Sequence, residues 1–191
     1  MAKQYRIAIS GKARSGKDLI ASMFYKVLTL NEYSAKITAI ANPMKQIVEI
    51  MFQGLDKYNL YGPSENRSKT ICDLYYDLTY RQALLDIGKF GRAYNKDIWL
   101  HYLENDLNQS KDKIVYIVSD CRFINEFEFL RKHNFYMIRI IRDNSEKIDD
   151  ISETEQNEIP NSLFDVVIYN NSSLDDLYTE VVSISNKLKA T

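Results

Sequence analysis

A glycine-rich segment between a predicted strand and a predicted helix constrains this chain more than any other feature. Residues 11–18 read Gly-Lys-Ala-Arg-Ser-Gly-Lys-Asp and follow the apolar run Ile7-Ala8-Ile9. Apolar residues then recur at helical spacing from Leu19 to Leu28. In a strand–loop–helix context the pattern G-x-x-x-x-G-K is typical of a loop whose backbone N–H groups, with the helix N-terminus, cradle phosphate. The sequence therefore predicts a phosphate-binding loop for a nucleotide.

The last residue of this loop departs from the usual pattern. The residues predicted to contact the nucleotide are Gly11, Lys12, Ala13, Arg14, Ser15, Gly16, Lys17 and Asp18. Lys17 would bridge the β- and γ-phosphates. Asp18 stands where Ser or Thr normally offers a hydroxyl to Mg²⁺. A carboxylate can hold the metal directly or through water, and an acid in the first helical turn is also favoured by the helix dipole. Both interpretations of Asp18 stay open.

Apolar runs of strand length alternate with amphipathic helical patterns, which predicts an α/β fold with a parallel sheet flanked by helices. The predicted strands cover 5–10, 35–41, 114–118, 135–141 and 164–169. The predicted helices include one with Pro43 in its first turn, one opened by a capping box at 79–82, two at 97–109 and 125–133, and one capped by 173–176.

Two segments interrupt this alternation within what we predict to be a single domain, 1–191. Residues 54–78 contain Gly-Pro and several tyrosines, with a short helix predicted at 70–76. An insertion of this length in a compact domain is usually functional or mobile. Residues 143–161 are polar and acidic, which predicts a loop or lid.

Composition excludes several other classes of protein. The 25 basic and 26 acidic residues nearly balance, which argues against a nucleic-acid coat protein. No apolar run approaches the roughly 18 residues of a membrane span, and the N-terminal residues lack a signal-peptide pattern. Cys72 and Cys121 lack the spacing of a metal site or a disulfide framework. The sequence therefore predicts a cytoplasmic protein with neither a nucleic-acid polymer nor a membrane as its partner.

Asp120 follows the buried run Ile114–Val118. The carboxyl end of a central parallel strand points into the crevice where α/β sheets bind ligands. Asp120 is therefore interpreted as a Walker B-type acid that holds the Mg²⁺ shell or orients the acceptor, and capping of the next helix is the alternative. Arg122 would reach substrate phosphate or pair with Glu126, and the sequence favours neither.

The loop form Gly-Lys-Ala-Arg-Ser-Gly-Lys-Asp resembles two related groups of P-loop kinases: the deoxynucleoside monophosphate kinases of tailed bacteriophages and the animal-type phosphomevalonate kinases. Three later segments resemble the phage kinases in the same order. The first is Tyr80-Arg81-Gln82-Ala83-Leu84-Leu85-Asp86-Ile87-Gly88, continuing to Arg92 and Asp97-Ile98-Trp99. The second is Val118-Ser119-Asp120-Cys121-Arg122-Phe123-Ile124-Asn125-Glu126, and the third is Ser152-Glu153 with 165–171 and 173–177. The resemblance implies a three-layer P-loop kinase fold that transfers the ATP γ-phosphoryl, with Mg²⁺, to a deoxynucleoside monophosphate (dNMP). Residues 54–78 match nothing in the family, so base specificity is left open.

The resemblance also implies roles for arginines beyond the loop. Arg81 and Arg92 would bind the acceptor's phosphate, since planar guanidinium groups bind phosphate bidentately; a solvated helix face is the alternative for both. Glu153 falls in the family's lid-region signature and is assigned to the substrate. The predicted catalytic set is Lys17, Asp120, Arg81 and Arg122, and the predicted metal ligands are Asp18 and Asp120. Arg142, by its place at the edge of a predicted strand, would contact the donor nucleotide, whereas Arg139 would pair within that strand.

Three functions stay open at this point. The first is a dNMP kinase, the second a P-loop kinase of another small phosphorylated acceptor such as phosphomevalonate, and the third a nucleotide-binding module without turnover. The tyrosines at 58, 61, 75 and 76 slightly favour a flat base over an aliphatic chain. A homodimer, a bacteriophage origin and work in the host cytoplasm are implied by the resemblance alone.

Overall fold

The computed structural model describes residues 5–110, 114–143 and 151–190, without the side chains of 151–154 and 190. In chain order the elements are β1 (Arg6–Gly11), α1 (Lys17–Leu30), β2 (Ala35–Thr38), α2 (Asn42–Met51), α3 (Lys57–Tyr61), α4 (Tyr80–Tyr94), α5 (Ile98–Gln109), β3 (Val115–Cys121), α6 (Ile124–Lys132), β4 (Phe135–Ile141), α7 (Ile151–Glu158), β5 (Val166–Tyr169) and α8 (Leu174–Ala190). Short 3₁₀ helices occupy Ser64–Ser68, Asp73–Tyr75 and Asn161–Leu163. The chain divides into two compact units, one formed by residues up to 39 and from 107 onwards, and one formed by 40–106.

The first unit is built on a parallel five-stranded sheet in the order β2-β3-β1-β4-β5. Strand residues alternate between its two faces. Ile7, Ile9 and Ile138 pack in one cluster with buried residues of α1 and α8. On the other face α6 packs against β4. The β4 residue Arg139 also bonds to the C-terminal end of α7. The predicted three-layer α/β fold with a parallel sheet is therefore confirmed.

Hydrogen bonding at strand ends changes several predicted bounds. β2 ends at Thr38 instead of residue 41, because the backbone is already helical at Ala41, where Pro43 helps to open α2. β3 continues past the predicted end at Val118 through Cys121, because ladder pairing to β1 resumes after two polar residues. β4 has the predicted bounds.

Both predicted irregular segments contain more structure than expected. The helix predicted at 70–76 was wrong, since only Asp73–Tyr75 forms a 3₁₀ turn and Thr70 pairs with Thr79 in an isolated bridge. The loop predicted over 143–161 was wrong for Ile151–Glu158, which forms α7. Its polar composition hid a helix that is held to the sheet by the buried Gln156 and followed by the buried Ile159. The predicted lid residues 144–150 lie outside the described part of the chain.

The second unit is organised around Tyr80 at the start of α4. The Tyr80 ring is fully buried in a cluster with Val48, Leu60 and Ile71. Its hydroxyl accepts a 2.7 Å hydrogen bond from the backbone N–H of Asp56. The same hydroxyl donates to the Ile71 carbonyl oxygen at 3.5 Å, so one side chain outside the segment 54–78 contacts both its early and its later part. This segment lies wholly within the second unit.

The predicted helix caps are present at α4 and α8, but at α4 only the Thr79 half of the predicted capping box forms, since the Gln82 side chain does not reach back. Thr79 Oγ1 accepts from the N–H of Gln82 at 3.1 Å, as predicted, and the Gln82 amide nitrogen donates onward to Asp86. Ser173 and Asp176 bond each other reciprocally at the start of α8. Neutral side-chain oxygens at this position typically stabilise a helix by about 1 kcal/mol.

Cys72 and Cys121 are both free thiols. Among the described residues, no helix has the length and apolar character that crossing a bilayer requires.

Trp99 packs against a glycine surface on α4, and this contact gives a stability test. A Cβ at Gly91 would lie 2.2 Å from Trp99 Cζ2, and the indole N–H donates to the Gly88 carbonyl at 3.3 Å. We expect Gly91→Ala to destabilise the chain by about 1–3 kcal/mol, since overpacking displaces the ring. The measurement is the free energy of unfolding in urea.

Gly88→Ala is the matched control in the same helix. There a Cβ would meet the flexible end of Arg92 at 3.1 Å, and alanine is favoured over glycine in a helix by roughly 1 kcal/mol. We expect Gly88→Ala to be neutral or stabilising. Equal losses in both variants would contradict the packing argument.

Candidate active site

The glycine-rich loop has the backbone that its sequence predicts. It joins the end of β1 at Gly11 to the start of α1 at Lys17, and Gly16 has a φ of 99°, in the left-handed region. A Cβ at Gly16 would lie 2.4 Å from Asn170 Nδ2, and a Cβ at Gly11 would lie 2.7 Å from the Ile140 carbonyl oxygen. Space excludes a side chain at either position, and conformation also disfavours one at Gly16.

Lys17 is buried in the centre of this loop. Its ammonium donates to the carbonyl oxygens of Gly11 and Lys12, both at 2.6 Å. The side chain is only 8% exposed, so the loop holds a positive charge that water reaches poorly. Since an anion is attracted more strongly where water is excluded, this position suits the terminal phosphates of a nucleotide.

The other loop residues surround this charge. Ala13 and Ser15 are buried, Lys12 is half-buried, and Arg14 is exposed with a φ of 60°. Asp18 is exposed in the first turn of α1. Asp18 is thus at the positive end of the helix dipole, where a carboxylate is favoured whether or not it also meets a metal.

Asp120 lies at an irregularity in the pairing of β3 with β1. Ala8 pairs with Val118 and Ser10 with Cys121, so two residues of β3 lie opposite one residue of β1. The extra residue makes a β-bulge at Ser119–Asp120. Bulges redirect side chains at sheet ends, and this one leaves Asp120 half-buried at the carboxyl edge beside the phosphate loop.

Glu126 holds the turn that follows Asp120. Its Oε2 accepts from the N–H of Arg122 at 2.7 Å and of Phe123 at 3.1 Å. Glu126 therefore pairs with the backbone of Arg122, and the two side chains also attract each other. Burial, and then the negative charge of Asp120, raise the pKa of Glu126 to about 7, although the two N–H bonds oppose this.

The arginines at the end of β4 differ in environment. Arg142 follows the last residue of β4 and is exposed, as predicted for a residue at the strand's carboxyl edge. Arg139 lies within β4, as predicted, and is buried. Its guanidinium donates to the carbonyl oxygens of Gln156 at 2.9 Å and Ile159 at 2.8 Å, so its partners are the last carbonyls around α7. Burial lowers the pKa of Arg139.

Arg81 and Arg92 belong to the second unit. Both are half-buried on α4, about three helical turns apart and hence on the same face. Arg81 Nη2 donates to the Ser64 carbonyl oxygen at 3.3 Å, whereas Arg92 lies over Gly88. Neither is a freely solvated side chain. Glu153 has no described side chain.

The second unit also contains an apolar cavity of about 550 Å³. It is lined by Ile47, Met51, Asp86, Ile87, Phe90, Gly91, Tyr94, Ile98 and Trp99. Its α4 residues lie on the helix face away from Arg81 and Arg92. Among the described residues, no part of 54–78 lines this cavity.

Comparison with known proteins identifies a family for this chain. The family model for phosphomevalonate kinase matches residues 9–136. The chain belongs to the phosphomevalonate kinase family. This match spans the glycine-rich loop, α4 with its arginines, and Asp120 with Arg122. The chain is accordingly a nucleotide-binding phosphotransferase, a kinase of the P-loop type.

Two further likenesses cover nearly the whole kinase. A "putative deoxynucleotide monophosphate kinase" of Acanthamoeba polyphaga mimivirus is 28% identical over 190 residues, covering 93% of this chain and 94% of the viral protein. The structure of dephospho-CoA kinase from Campylobacter jejuni superposes with a TM-score of 0.48 and 14% identity, covering 97% of each chain.

Two residues of this kinase were missed by sequence reasoning. Asn170, which follows β5, is buried and donates from Nδ2 to the Ser15 carbonyl oxygen at 2.8 Å. Gln156 of α7 donates to the ends of β1 and β3. Asn170 lies in a segment that carries the family resemblance, but no local pattern marks it. Gln156 was hidden by the wrong assignment of its segment to a loop.

No group of three metal-ligating side chains occurs among the described residues. A magnesium ion would therefore be held by one or two carboxylates together with nucleotide phosphates and water, which is the usual manner of Mg²⁺ binding. Asp18 and Asp120 have the hard oxygen ligands that such a site requires; Asp18 is exposed and Asp120 is half-buried.

The raised pKa of Glu126 predicts a pH-dependent stability. The folded carboxyl keeps its proton up to about pH 7, against an ordinary value of 4.5. Between these values the folded chain binds a proton that the unfolded chain has lost, so the free energy of unfolding falls as the pH rises. The slope should approach about 1.4 kcal/mol per pH unit at its steepest.

Glu126→Gln should remove this decline between pH 4.5 and 7, because an amide oxygen accepts the same N–H bonds without ionising. The measurement is the urea unfolding free energy across that range. Glu128→Gln, on the exposed side of α6, is the control and should keep the wild-type slope. A Glu126→Gln profile parallel to wild type would show that Glu126 titrates normally.

Proposed function

We propose that this kinase transfers the γ-phosphoryl group of Mg·ATP to a deoxynucleoside monophosphate, giving ADP and the diphosphate. The observation that carries the proposal is the 28% identity along 93% of the chain to the mimivirus protein, whose name states a deoxynucleotide monophosphate acceptor. The bacteriophage origin, the cytoplasmic location and the homodimer that the resemblance implied stay predictions.

The phosphate loop would bind the donor and stabilise the transferring group. In this proposal Lys17 leaves its two carbonyl partners, or shares its three protons with them, to meet the β- and γ-phosphates. Lys12 and Arg14 add positive charge at the loop, and Arg142 adds it at the end of β4. Such preorganised charges stabilise the transition state because phosphoryl transfer spreads negative charge over the equatorial oxygens.

Two carboxylates would bind the Mg²⁺ ion that accompanies ATP. We assign Asp18 and Asp120 to the Mg²⁺ shell, directly or through water. The bulge at Ser119–Asp120 supports this assignment, because it turns the strand end beside the loop away from regular pairing. Arg122 would offset the charge of the acceptor phosphate, whose oxygen attacks the γ-phosphorus as the bond to the β-phosphate oxygen breaks.

The acceptor would be held by Arg81 and Arg92, with Glu153 as a further substrate contact. The shared face of α4 supports a joint role for the two arginines, and the hydrogen bond from Arg81 to Ser64 gives the guanidinium a defined starting position. We assign 54–78 to the acceptor's base. We keep the prediction of a lid over the donor only for the part of 143–161 that precedes α7, because Gln156 and Arg139 hold α7 to the sheet. Tyr58 and Tyr76 of the first segment are exposed and available for stacking.

A second acceptor is favoured by a separate observation. The family model that matches residues 9–136 is that of phosphomevalonate kinase. Its acceptor also presents a phosphate on a small molecule, so the same arginines would serve it. The two proposals differ only in what occupies the space beyond that phosphate.

An acceptor panel separates these proposals. The measurement is ADP release from Mg·ATP with dAMP, dGMP, dCMP, dTMP, their ribose forms, phosphomevalonate, or water alone. We expect turnover with at least one deoxynucleotide well above the water rate. Turnover with phosphomevalonate alone would support the second acceptor instead of a deoxynucleotide. If no acceptor increases ADP release above the water rate, the protein is a nucleotide-binding module without kinase turnover.

The same assay tests the loop through Lys17→Ala. We expect the acceptor-dependent kcat to fall by at least about 10²-fold, because a preorganised charge at the transferring group is lost. Lys26→Ala, on the exposed side of α1, should behave as wild type. Circular dichroism checks that both variants are folded, and a folded Lys17→Ala with the wild-type rate would remove Lys17 from the mechanism.

Arg81→Ala tests the acceptor side. We expect kcat/KM for the acceptor to fall by at least about tenfold, the loss of one charge-assisted hydrogen bond, while the affinity for ATP changes little. Lys89→Ala, exposed on the same helix, controls for general loss of positive charge. If Arg81→Ala weakens ATP binding alone, the assignment to the acceptor is wrong.

A further inference from the structure

One buried amide joins three structural elements behind the phosphate loop. Gln156 of α7 is only 1% exposed. Its Nε2 lies 3.1 Å from Ser10 Oγ, 3.2 Å from the Gly11 carbonyl oxygen and 3.2 Å from the Cys121 carbonyl oxygen. The first two acceptors end β1 and the third ends β3.

These acceptors occupy a particular place in the sheet. Ser10 and Cys121 are the register partners at which β1 and β3 resume pairing after the bulge. Gln156 therefore bridges the two strands immediately beyond the irregularity that contains Asp120. A bulge weakens the ladder locally, so a donor supplied from a third element helps to fix where the strand ends lie.

The Gly11 carbonyl oxygen connects Gln156 to the loop lysine, Lys17. The Gly11 carbonyl oxygen accepts from Gln156 Nε2 and also from Lys17 Nζ at 2.6 Å. The position of this carbonyl thus affects both the β1 end and the lysine's hydrogen bonds. Gln156 contacts the strand end on one side of the loop, and Lys17 contacts it from inside.

Gln156 is itself held in place from the sheet. The Arg139 guanidinium donates to the Gln156 backbone carbonyl at 2.9 Å and to that of Ile159 at 2.8 Å. Arg139 also stacks over the Phe164 ring, with its central carbon 5.0 Å from the ring centroid. α7 is therefore fastened at its C-terminal end, and the Gln156 side chain starts from a fixed backbone.

The two polar ends of the Gln156 amide differ in their contacts. Gln156 Oε1 is buried without a hydrogen-bond partner among the described residues. A buried carbonyl without a partner is destabilising and offsets part of what the three hydrogen bonds from Nε2 contribute. The hydrogen bonds to the strand ends all come from the donor group, Nε2.

We propose that Gln156 is a positioning residue for phosphoryl transfer, which sets the Gly11 carbonyl and the β3 bulge so that Lys17 and Asp120 are correctly placed. This rests on the roles assigned to Lys17 and Asp120 under the proposed function. It requires no particular acceptor, because the hydrogen bonds from the Gln156 side chain go to the ends of β1 and β3. Gln156 touches neither substrate in this role and acts through the backbone of these two strands.

Gln156→Met is the direct test, since it keeps the length of the side chain and removes the donor. We expect kcat to fall about tenfold or more, as small misplacements of catalytic groups do, while the KM of the acceptor and the dissociation constant of ATP stay within about threefold. Asn157→Ala, on the exposed side of α7, should match wild type. A folded Gln156→Met with the wild-type kcat would overturn the proposal, as would a loss of kcat no larger than the loss of folded protein.

Ser10→Ala provides a second test if Gln156→Met folds poorly. It removes one of the three acceptors with little change of volume. We expect a smaller loss of kcat in Ser10→Ala, and in the double variant Gln156→Met/Ser10→Ala no further loss beyond Gln156→Met. If Ser10→Ala keeps the wild-type kcat, or if the two losses multiply independently, the bridge across the bulge does not position the site.

The readouts separate this proposal from the choice of acceptor. Rates are taken with whichever acceptor wild type uses in the panel, or with water if it uses none. Failure of every deoxynucleotide in wild type overturns the dNMP proposal. The ratio of the Gln156→Met rate to the wild-type rate on the accepted substrate then still decides the role of Gln156.

Discussion

The hydrogen bonds that hold the Lys17 ammonium organise the first unit of this kinase. A charge that water barely reaches is tolerated only when its protons are taken up, and here carbonyl oxygens of Gly11 and Lys12 accept them. Those carbonyls point inward because β1 ends at Gly11 and the chain turns through Gly16 into α1. The strand end, the left-handed turn and the helix start are therefore parts of one arrangement around a single positive charge.

Neighbouring strands complete this arrangement from outside the loop. The Ile140 carbonyl of β4 leaves no room for a side chain at Gly11, and Asn170 after β5 holds the Ser15 carbonyl. Gln156 joins β1 to β3 from the opposite layer of helices. Strands on both sides of β1 thus limit the loop's movement, and the central position of β1 in the sheet makes that possible.

Sequence reasoning succeeded where the determining residues are close in the chain. The glycines, the lysine and the preceding apolar strand predicted the phosphate loop, and Thr79 predicted the start of α4. It missed Asn170 and Gln156, whose partners lie 155 and 145 residues away. The segment 54–78 was equally difficult, because its shape depends on burying Tyr80, a residue outside it. The polar composition of α7 also led to the wrong prediction of a loop, because this helix packs on the sheet through a buried glutamine.

The bond from Asn170 to Ser15 also orders events during synthesis of the chain. The ribosome makes Asn170 155 residues after Ser15, and β5 must then pair beside β4 before Asn170 reaches the loop. Contacts between residues far apart in sequence form late in folding, since a long stretch of chain must first be ordered. A nascent chain therefore has its glycine-rich loop without this hydrogen bond until Asn170 has been made, so the loop gains this support late in folding.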